Sequence, residues 1–299
     1  MNKRLFIKTV LVGIFALPVA LYGSVLAYFI HAEPSLVYMP KRGALPLEQQ
    51  IQGRAERVVM RAADGTRLVG WVFPAKLPTR YWVYFMHGNA GNATTCQAWW
   101  NLAHELGANF FVLDYRGFGE SAGTPSESGL YQDALVGYEF LVSQRSALPE
   151  EIIIYGHSLG SAVAIDLATR VRAAGLIVEG AMISIPERGE ELYPFLPLNI
   201  IAHNRFESLK KIDSVLCPVL FLHARDDRTI PIRHGRVLYA RAREPKTFIE
   251  LKGDHITAIE TDRKEVLSAI NRFAKEIGWK LRGDANSMDR PAFYSQTGQ

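Results

Sequence analysis

Several features that define whole classes of protein are scarce in this sequence. Among its 299 residues only two are cysteines, Cys96 and Cys217, and two cysteines are too few for a disulfide framework. Neither lies in a CxxC or Cys–His spacing that would hold zinc, so we expect no metal site. The sequence also has no internal repeat and no low-complexity segment, which excludes a repeat protein and a largely disordered chain.

Charge bias is small as well. The formal net charge is +4, and 21% of the residues are charged. Because the arginines between Arg225 and Arg243 are interspersed with acidic residues, we expect no nucleic-acid partner. No Gly/Ser-rich or Pro-rich linker divides the middle of the chain, and 48% of the residues are hydrophobic. This composition predicts a single large domain at residues 57–280.

The longest uncharged apolar run lies near the N-terminus, from Thr9 to Ile30. At ~1.5 Å per residue, a helix of this length would span the roughly 30 Å hydrocarbon core of a bilayer. Lys3, Arg4 and Lys8 precede the run. Because positive residues stay on the cytoplasmic side, this pattern predicts a cytoplasmic N-terminus and a domain in the periplasm or a lumen.

Two other interpretations of the apolar run remain open. A cleaved signal peptide is one, because residues 25–27 (VLA) resemble a cleavage site, although such apolar regions normally span only about 7 to 15 residues. A buried core helix is the other, but the run is apolar on all sides instead of along one stripe. We therefore expect a transmembrane anchor at residues 1–32 and a connecting segment at 33–56. The polar tail, residues 281–299, is expected to be disordered.

Beyond residue 57, short apolar runs alternate with amphipathic segments. The first two runs flank Asp64 and Gly65, a dipeptide typical of tight hairpins, which predicts an antiparallel pair. Strands are predicted at Arg57–Ala62, Arg67–Phe73, Tyr81–Met86, Phe110–Leu113, Ile152–Tyr155, Leu176–Val178, Val219–Leu222 and Thr247–Leu251. Helices are predicted at 93–106, 129–143, 158–171 and 259–277. Alternating strands and helices indicate an α/β fold with a mostly parallel sheet covered by helices on both faces.

The regular alternation lapses between Ile183 and Ile212. This stretch contains the apolar sequence YPFLPL at residues 193–198, followed by Ile200 and Ile201. Two interpretations stay open for it. It is either a cap over a pocket or a membrane-facing flap, or it is an ordinary stretch packed on the core.

The pentapeptide GHSLG, residues 156–160, lies between a predicted strand and a predicted helix. At such an elbow the central serine adopts a strained backbone, and the flanking glycines avoid collisions with the neighbouring strand and helix. The motif therefore predicts Ser158 as a nucleophile at the carboxyl edge of the sheet, where open α/β sheets bind their ligands. A chance match in a glycine-containing turn is the alternative.

A nucleophilic serine needs a histidine base and a carboxylate that orients the base. His255 follows the last predicted strand and is the last histidine of the chain, whereas His234 is expected at a surface position on a helix. The acid is Asp226 or Asp227, since both follow the strand before it, and the residues alone leave both open. Five histidines that precede the acid are expected to be structural or solvated, namely His31, His104, His157, His203 and His223.

The same chemistry needs two backbone N–H donors for the oxyanion. Leu159 directly follows the nucleophile and supplies the first. The turn HGNAGN, residues 87–92, supplies the second, from Asn89 or alternatively from Ala90. Each such donor stabilises a transition state by about 3 kcal/mol. Considered by itself, this turn is also compatible with an ordinary glycine-rich loop.

Together these motifs resemble a family of membrane-anchored α/β hydrolases. The likeness rests on HGNAGN, on DYRGFGESAGTPSESGLYQDA (114–134), and on IIIYGHSLGSAVA, PFLP, CPVLFLHARDDRTIP and GDH. The family includes bacterial inner-membrane hydrolases and mammalian abhydrolase-domain lipases and protein depalmitoylases. It implies the α/β-hydrolase fold over residues 57–277 and an N-terminal membrane helix. Its acid-x-x-[Ile/Val]-Pro pattern matches DRTIP and selects Asp227 as the acid.

The resemblance also implies structural roles for Asp114, Arg116 and Asp133. The residues and the resemblance together predict a serine hydrolase that cleaves ester or thioester bonds without a metal or organic cofactor. The expected partners are a small-molecule or lipid-like acyl substrate and the bilayer. A peptidase or amidase of the same fold, and a non-catalytic membrane-tethered binding protein, are the alternatives. The oligomeric state stays open.

Overall fold

A computed structural model of the chain describes residues 3–43 and 55–280, with side chains from residue 16 onward. The predicted disordered tail, 281–299, and much of the predicted connecting segment lie outside the described residues. The helices are α1 (Lys3–Val37), α2 (Gln97–Leu106), α3 (Glu127–Gln144), α4 (Leu159–Arg170), α5 (Ile185–Leu192), α6 (Leu198–Ile201), α7 (Arg233–Arg241), α8 (Ala258–Thr261) and α9 (Arg263–Glu276). Short 3₁₀ turns lie at Ala93–Thr95, Pro149–Glu151, Ser208–Lys210 and Ile212–Ser214.

The eight predicted strands agree with the structure to within one or two residues, and the two-residue strands β1 and β5 were not predicted. The strands are β1 (Met39–Pro40), β2 (Glu56–Arg61), β3 (Arg67–Phe73), β4 (Trp82–Met86), β5 (Ala90–Gly91), β6 (Asn109–Asp114), β7 (Ile152–His157), β8 (Gly175–Glu179), β9 (Val219–Ala224) and β10 (Lys246–Leu251). Eight of them form one sheet in the order β2-β3-β6-β4-β7-β8-β9-β10. The β2–β3 and β3–β6 pairs are antiparallel and the others are parallel. The predicted mostly parallel sheet is therefore confirmed.

The sheet has a hydrophobic core on each face. Successive residues of a strand point to opposite faces, and Ile152 and Ile154 accordingly join one core while Ile153 joins the other. Helices α3 and α4 pack on the first core and helices α2 and α9 on the second. Because every residue of β7 is buried, the strand that leads to Ser158 is fixed from both sides.

One predicted helix differs from the structure. The closing helix predicted at 259–277 is divided into α8 and α9 at Asp262, whose backbone angles leave the helical region. The side chain of Asp262 accepts a hydrogen bond from the Lys252 N–H at 2.9 Å. This long-range contact ties the break to the loop that leads into His255, and a helical hydrophobic pattern does not reveal it.

Helix α1 includes the whole predicted apolar run and continues beyond it to Val37. Among the described residues it is the one helix long and apolar enough to cross a membrane, with a candidate span at Ala16–Val37 and a mean hydropathy of 1.2. Only 6% of that window is buried, so α1 is not a core helix. Its length and composition fit a membrane anchor and a signal sequence alike.

The last turns of α1 contact the segment at residues 183–212, which we call the cap segment. The Tyr22 hydroxyl donates to the Phe195 carbonyl at 2.8 Å, and the rings of Phe29 and Tyr193 lie 5.2 Å apart. After α1, strand β1 pairs in parallel with β5. The N-terminal helix therefore joins the domain at the carboxyl edge of the sheet.

Candidate active site

The backbone at Ser158 is strained in the way that the GHSLG motif predicts. Ser158 has φ 56° and ψ −124°, a region that residues with side chains rarely adopt. A Cβ at Gly156 would lie 2.3 Å from the Gly160 carbonyl oxygen, and a Cβ at Gly160 would lie 2.1 Å from the Met86 carbonyl oxygen. Strand, turn and helix therefore approach so closely here that only glycine fits at both positions.

Three side chains from three loops meet at this turn. His255 Nε2 lies 2.8 Å from Ser158 Oγ, and His255 Nδ1 lies 2.6 Å from Asp227 Oδ2. All three residues are buried, whereas Asp226 is exposed. The structure therefore brings Ser158, Asp227 and His255 together and leaves Asp226 outside the group. This is the arrangement in which a histidine can take a proton from a serine hydroxyl.

Asp227 is held as a carboxylate. Burial by itself would raise its pKa, but the hydrogen bond and charge of His255 and the N–H of Ile230 outweigh burial, so the pKa lies below its usual value. The Ile230 N–H donates to Asp227 Oδ1 at 2.7 Å. With one oxygen held in this way, the other accepts from His255 Nδ1 and fixes the tautomer that leaves Nε2 free to accept a proton.

His157, which was expected to be structural or solvated, is buried beside His255. Burial lowers its pKa, so its ring is neutral and donates from Nε2 to the His255 carbonyl at 3.0 Å. The ring lies between Trp99 and His255, with centroids 4.9 and 5.1 Å away. His157 therefore supports the loop that carries His255.

The expectation that His234 lies at the surface is wrong. His234 is on α7 as predicted, but it is fully buried. Its Nδ1 accepts the Ile183 N–H at 3.3 Å, and its Nε2 lies 3.1 Å from Glu191 Oε2. His234 lies on the side of α7 that faces the domain interior. Its contacts therefore hold the start of the cap segment against the domain.

The residues with an implied structural role hold neighbouring loops. Asp133 accepts the Arg116 N–H at 2.7 Å and also pairs with the Arg116 guanidinium. Asp114 accepts the Ala93 N–H at 2.6 Å. Burial raises the pKa of Asp114 to about 7 and lowers the pKa of the adjacent His87 to about 4. These groups brace the loops behind Ser158.

Both candidate oxyanion residues line the same cavity as Ser158. Leu159 is the first residue of α4, so its N–H has no acceptor within the helix. Asn89 lies between β4 and β5, and its carbonyl accepts the Met39 N–H at 3.0 Å while its side-chain amide donates to the Val37 carbonyl at 3.4 Å. The chain that leaves α1 therefore holds the loop that carries Asn89.

The cavity has a volume of about 250 Å³. Apolar side chains dominate its lining, and they come from α1, from the cap segment and from the loop after Asp227. The sequence interpretation missed the contribution of α1. Its one local signal was Glu33, an acidic residue three positions after the end of the apolar run. Among the described residues, no group of three or more His, Cys, Asp or Glu side chains is arranged to hold a metal ion.

Comparison with known proteins adds independent information. The family described as "Serine aminopeptidase, S33" matches residues 78–211, a range that contains Ser158 but ends before Asp227. An uncharacterized protein of Mycobacterium tuberculosis, Rv2307c, is 35% identical over 264 residues, which cover 86% of this chain and 93% of that protein. The human "Alpha/beta hydrolase domain-containing protein 17C" is 32% identical over 212 residues, which cover 69% of this chain and 61% of that protein.

Among solved structures, an esterase of Pyrococcus furiosus, Pf2001, is similar with a TM-score of 0.67. The likeness covers 80% of this chain and 100% of the esterase, at 19% sequence identity. At this identity the likeness shows the fold and carries no information about the substrate.

Proposed function

This chain belongs to the α/β-hydrolase family, and on that premise we propose that it is a serine hydrolase that cleaves carboxylic ester or thioester bonds. The observation that carries the proposal is the chain of contacts from Ser158 Oγ through His255 to Asp227. The proposed substrate is lipid-like or acylated, and the proposed intermediate is an acyl group on Ser158.

In the first half of the proposed reaction, Ser158 Oγ attacks the carbonyl carbon and His255 Nε2 takes the hydroxyl proton. The carboxylate of Asp227 stabilises the imidazolium without taking its proton. The negative charge that develops on the carbonyl oxygen is stabilised by the N–H groups of Leu159 and Asn89. His255 then gives its proton to the leaving alcohol or thiol, and the acyl group stays on Ser158.

In the second half, His255 takes a proton from a water molecule that attacks the acyl-enzyme. The same two N–H groups stabilise the second tetrahedral intermediate. Collapse of that intermediate returns the proton to Ser158 and releases the carboxylic acid. Both halves of the reaction use the same residues, and water is the co-reactant of the substrate.

The cavity favours an acyl substrate over a peptide. Recognition of a peptide amino terminus needs a free carboxylate, and Glu33 is the one acidic residue among the described residues that line the cavity. Its carboxylate already accepts the N–H groups of His203 and Asn204 at 3.0 and 2.6 Å. Arg188 also lines the cavity, but its guanidinium already donates to Glu191 and to the carbonyls of Arg228 and Thr229. Most of the remaining lining is apolar, which suits a hydrocarbon chain.

A series of p-nitrophenyl esters from acetate to palmitate tests this function. We expect turnover of the esters with saturable kinetics, and we expect a fluorophosphonate probe to label the intact protein. Slower turnover of matched p-nitroanilides would support esters over amides as substrates. If the folded full-length protein neither hydrolyses any ester nor reacts with the probe, the proposed function is wrong.

We also propose that residues 1–32 anchor the enzyme in a membrane, with the N-terminus in the cytoplasm and the domain in the periplasm or a lumen. The length of α1 and the basic residues before its apolar run support this orientation. In sealed inside-out membrane vesicles, added protease should leave the domain intact. Digestion of the domain in unbroken vesicles would contradict the orientation.

A further inference from the structure

The cavity beside Ser158 has a wall that belongs to the N-terminal helix. Phe29, Ile30 and Leu36 of α1 line the same cavity as Ser158 and Leu159. The facing wall includes Leu192 and Ile201 of the cap segment among its residues. An apolar segment that also fits a membrane span is therefore part of the cavity wall beside Ser158.

A buried carboxylate fixes this wall in place. Glu33 is 9% exposed, and it accepts the backbone N–H groups of His203 and Asn204 as well as the Asn204 side-chain amide at 3.1 Å. The Tyr38 hydroxyl donates to the amide oxygen of the same Asn204 at 2.6 Å. A buried carboxylate without such donors is strongly unfavourable. The end of α1 and the cap segment are therefore held in one relative position.

Exposed apolar side chains continue from α1 onto the cap segment. Leu21 is 65% exposed, Phe195 56% and Ile200 83%. The two sets of side chains lie near each other, because Tyr22 bonds to the Phe195 carbonyl. Exposed apolar side chains grouped in this way are unfavourable in water and typical of a membrane contact. In the proposed membrane-anchored protein, bilayer hydrocarbon would therefore contact the same helix that lines the cavity.

We propose that the last turns of α1 bind the acyl chain of a long-chain ester or thioester, which reaches Ser158 from the bilayer alongside the helix. Phe29, Ile30 and Leu36 then determine the preferred chain length. This inference rests on the proposed hydrolase function and on the proposed membrane anchor.

The inference is tested with the full-length protein in detergent micelles and two substrates, p-nitrophenyl butyrate and p-nitrophenyl palmitate. Ile30→Trp fills part of the cavity. It should lower the palmitate-to-butyrate ratio of kcat/KM by about tenfold or more. Leu21→Trp is the matched control, because Leu21 is exposed on the same helix and does not line the cavity. It should leave both substrates at the wild-type values.

A second variant keeps the test decisive if Ile30→Trp fails to fold. Leu36→Ala removes apolar contact from the wall and should lower the palmitate-to-butyrate ratio of kcat/KM by about tenfold. If the folded variants keep the wild-type ratio while the protein still hydrolyses butyrate, the inference is overturned and the hydrolase function stands. If the wild-type protein hydrolyses neither ester and does not react with a fluorophosphonate, both are overturned.

Discussion

Ser158→Ala abolishes turnover, with an expected fall in kcat on the order of 10⁵ to 10⁶ and complete loss of fluorophosphonate labelling. Ser158 Oγ lies 2.8 Å from His255 Nε2, and the acyl-enzyme of the proposed mechanism forms on this oxygen. The N–H groups near the cavity remain in the variant, so the residual rate stays above that of the uncatalysed reaction. Steady-state hydrolysis of p-nitrophenyl butyrate measures the effect.

Ser208→Ala is a matched control for this experiment. Ser208 is also a buried serine, but it is outside the lining of the cavity. This variant should label and turn over at close to the wild-type rate. Equal labelling of wild type and Ser158→Ala would assign the nucleophile to another residue and contradict the mechanism.

Asp227→Asn is expected to lower kcat by about 10⁴. An amide nitrogen facing His255 Nδ1 donates where the carboxylate accepted, so it stabilises the tautomer that has its proton on Nε2 and cannot take one from Ser158. The fold should persist, because the replacement keeps the size of the side chain. Comparing kcat and the thermal midpoint of the two proteins separates a change in chemistry from a loss of structure.

The neighbouring Asp226→Asn is the control for the acid. Asp226 is exposed, and the contact to His255 is made by Asp227 at 2.6 Å. Asp226→Asn should therefore change kcat by less than about threefold, within the range of surface substitutions. A large loss in Asp226→Asn together with near-normal turnover in Asp227→Asn would reverse the assignment.

The sheet, Ser158 and His255 could be anticipated because their signals are local, whereas local signals left Asp226 and Asp227 open and the family resemblance selected Asp227. GHSLG carries its own strand, turn and helix, and the strained angle at Ser158 follows from that short segment. Asp227 follows the end of β9 by three residues, and His255 follows the end of β10 by four. Parallel strands bring their carboxyl ends to one edge of a sheet, so positions far apart in the sequence meet without any special signal.

The parts that were missed depend on contacts between distant segments. His234 was misplaced at the surface because nothing nearby in the sequence shows that Glu191 and Ile183 cover its face of α7. The break at Asp262 depends on its bond to the Lys252 N–H. The wall formed by α1 depends on Glu33 meeting residues about 170 positions later. No periodicity or motif encodes such pairings.

The short passage from α1 into the domain limits how the enzyme moves. Met39 already pairs with Ala90, two residues after the helix ends at Val37, so the end of the helix is held directly against the domain. An enzyme on a long flexible linker would sample many heights and tilts above the bilayer. In the proposed membrane-anchored enzyme, the helix itself would set the height of Ser158 relative to the membrane. Substrates would then be selected by the depth at which their scissile bond sits as well as by their chemistry.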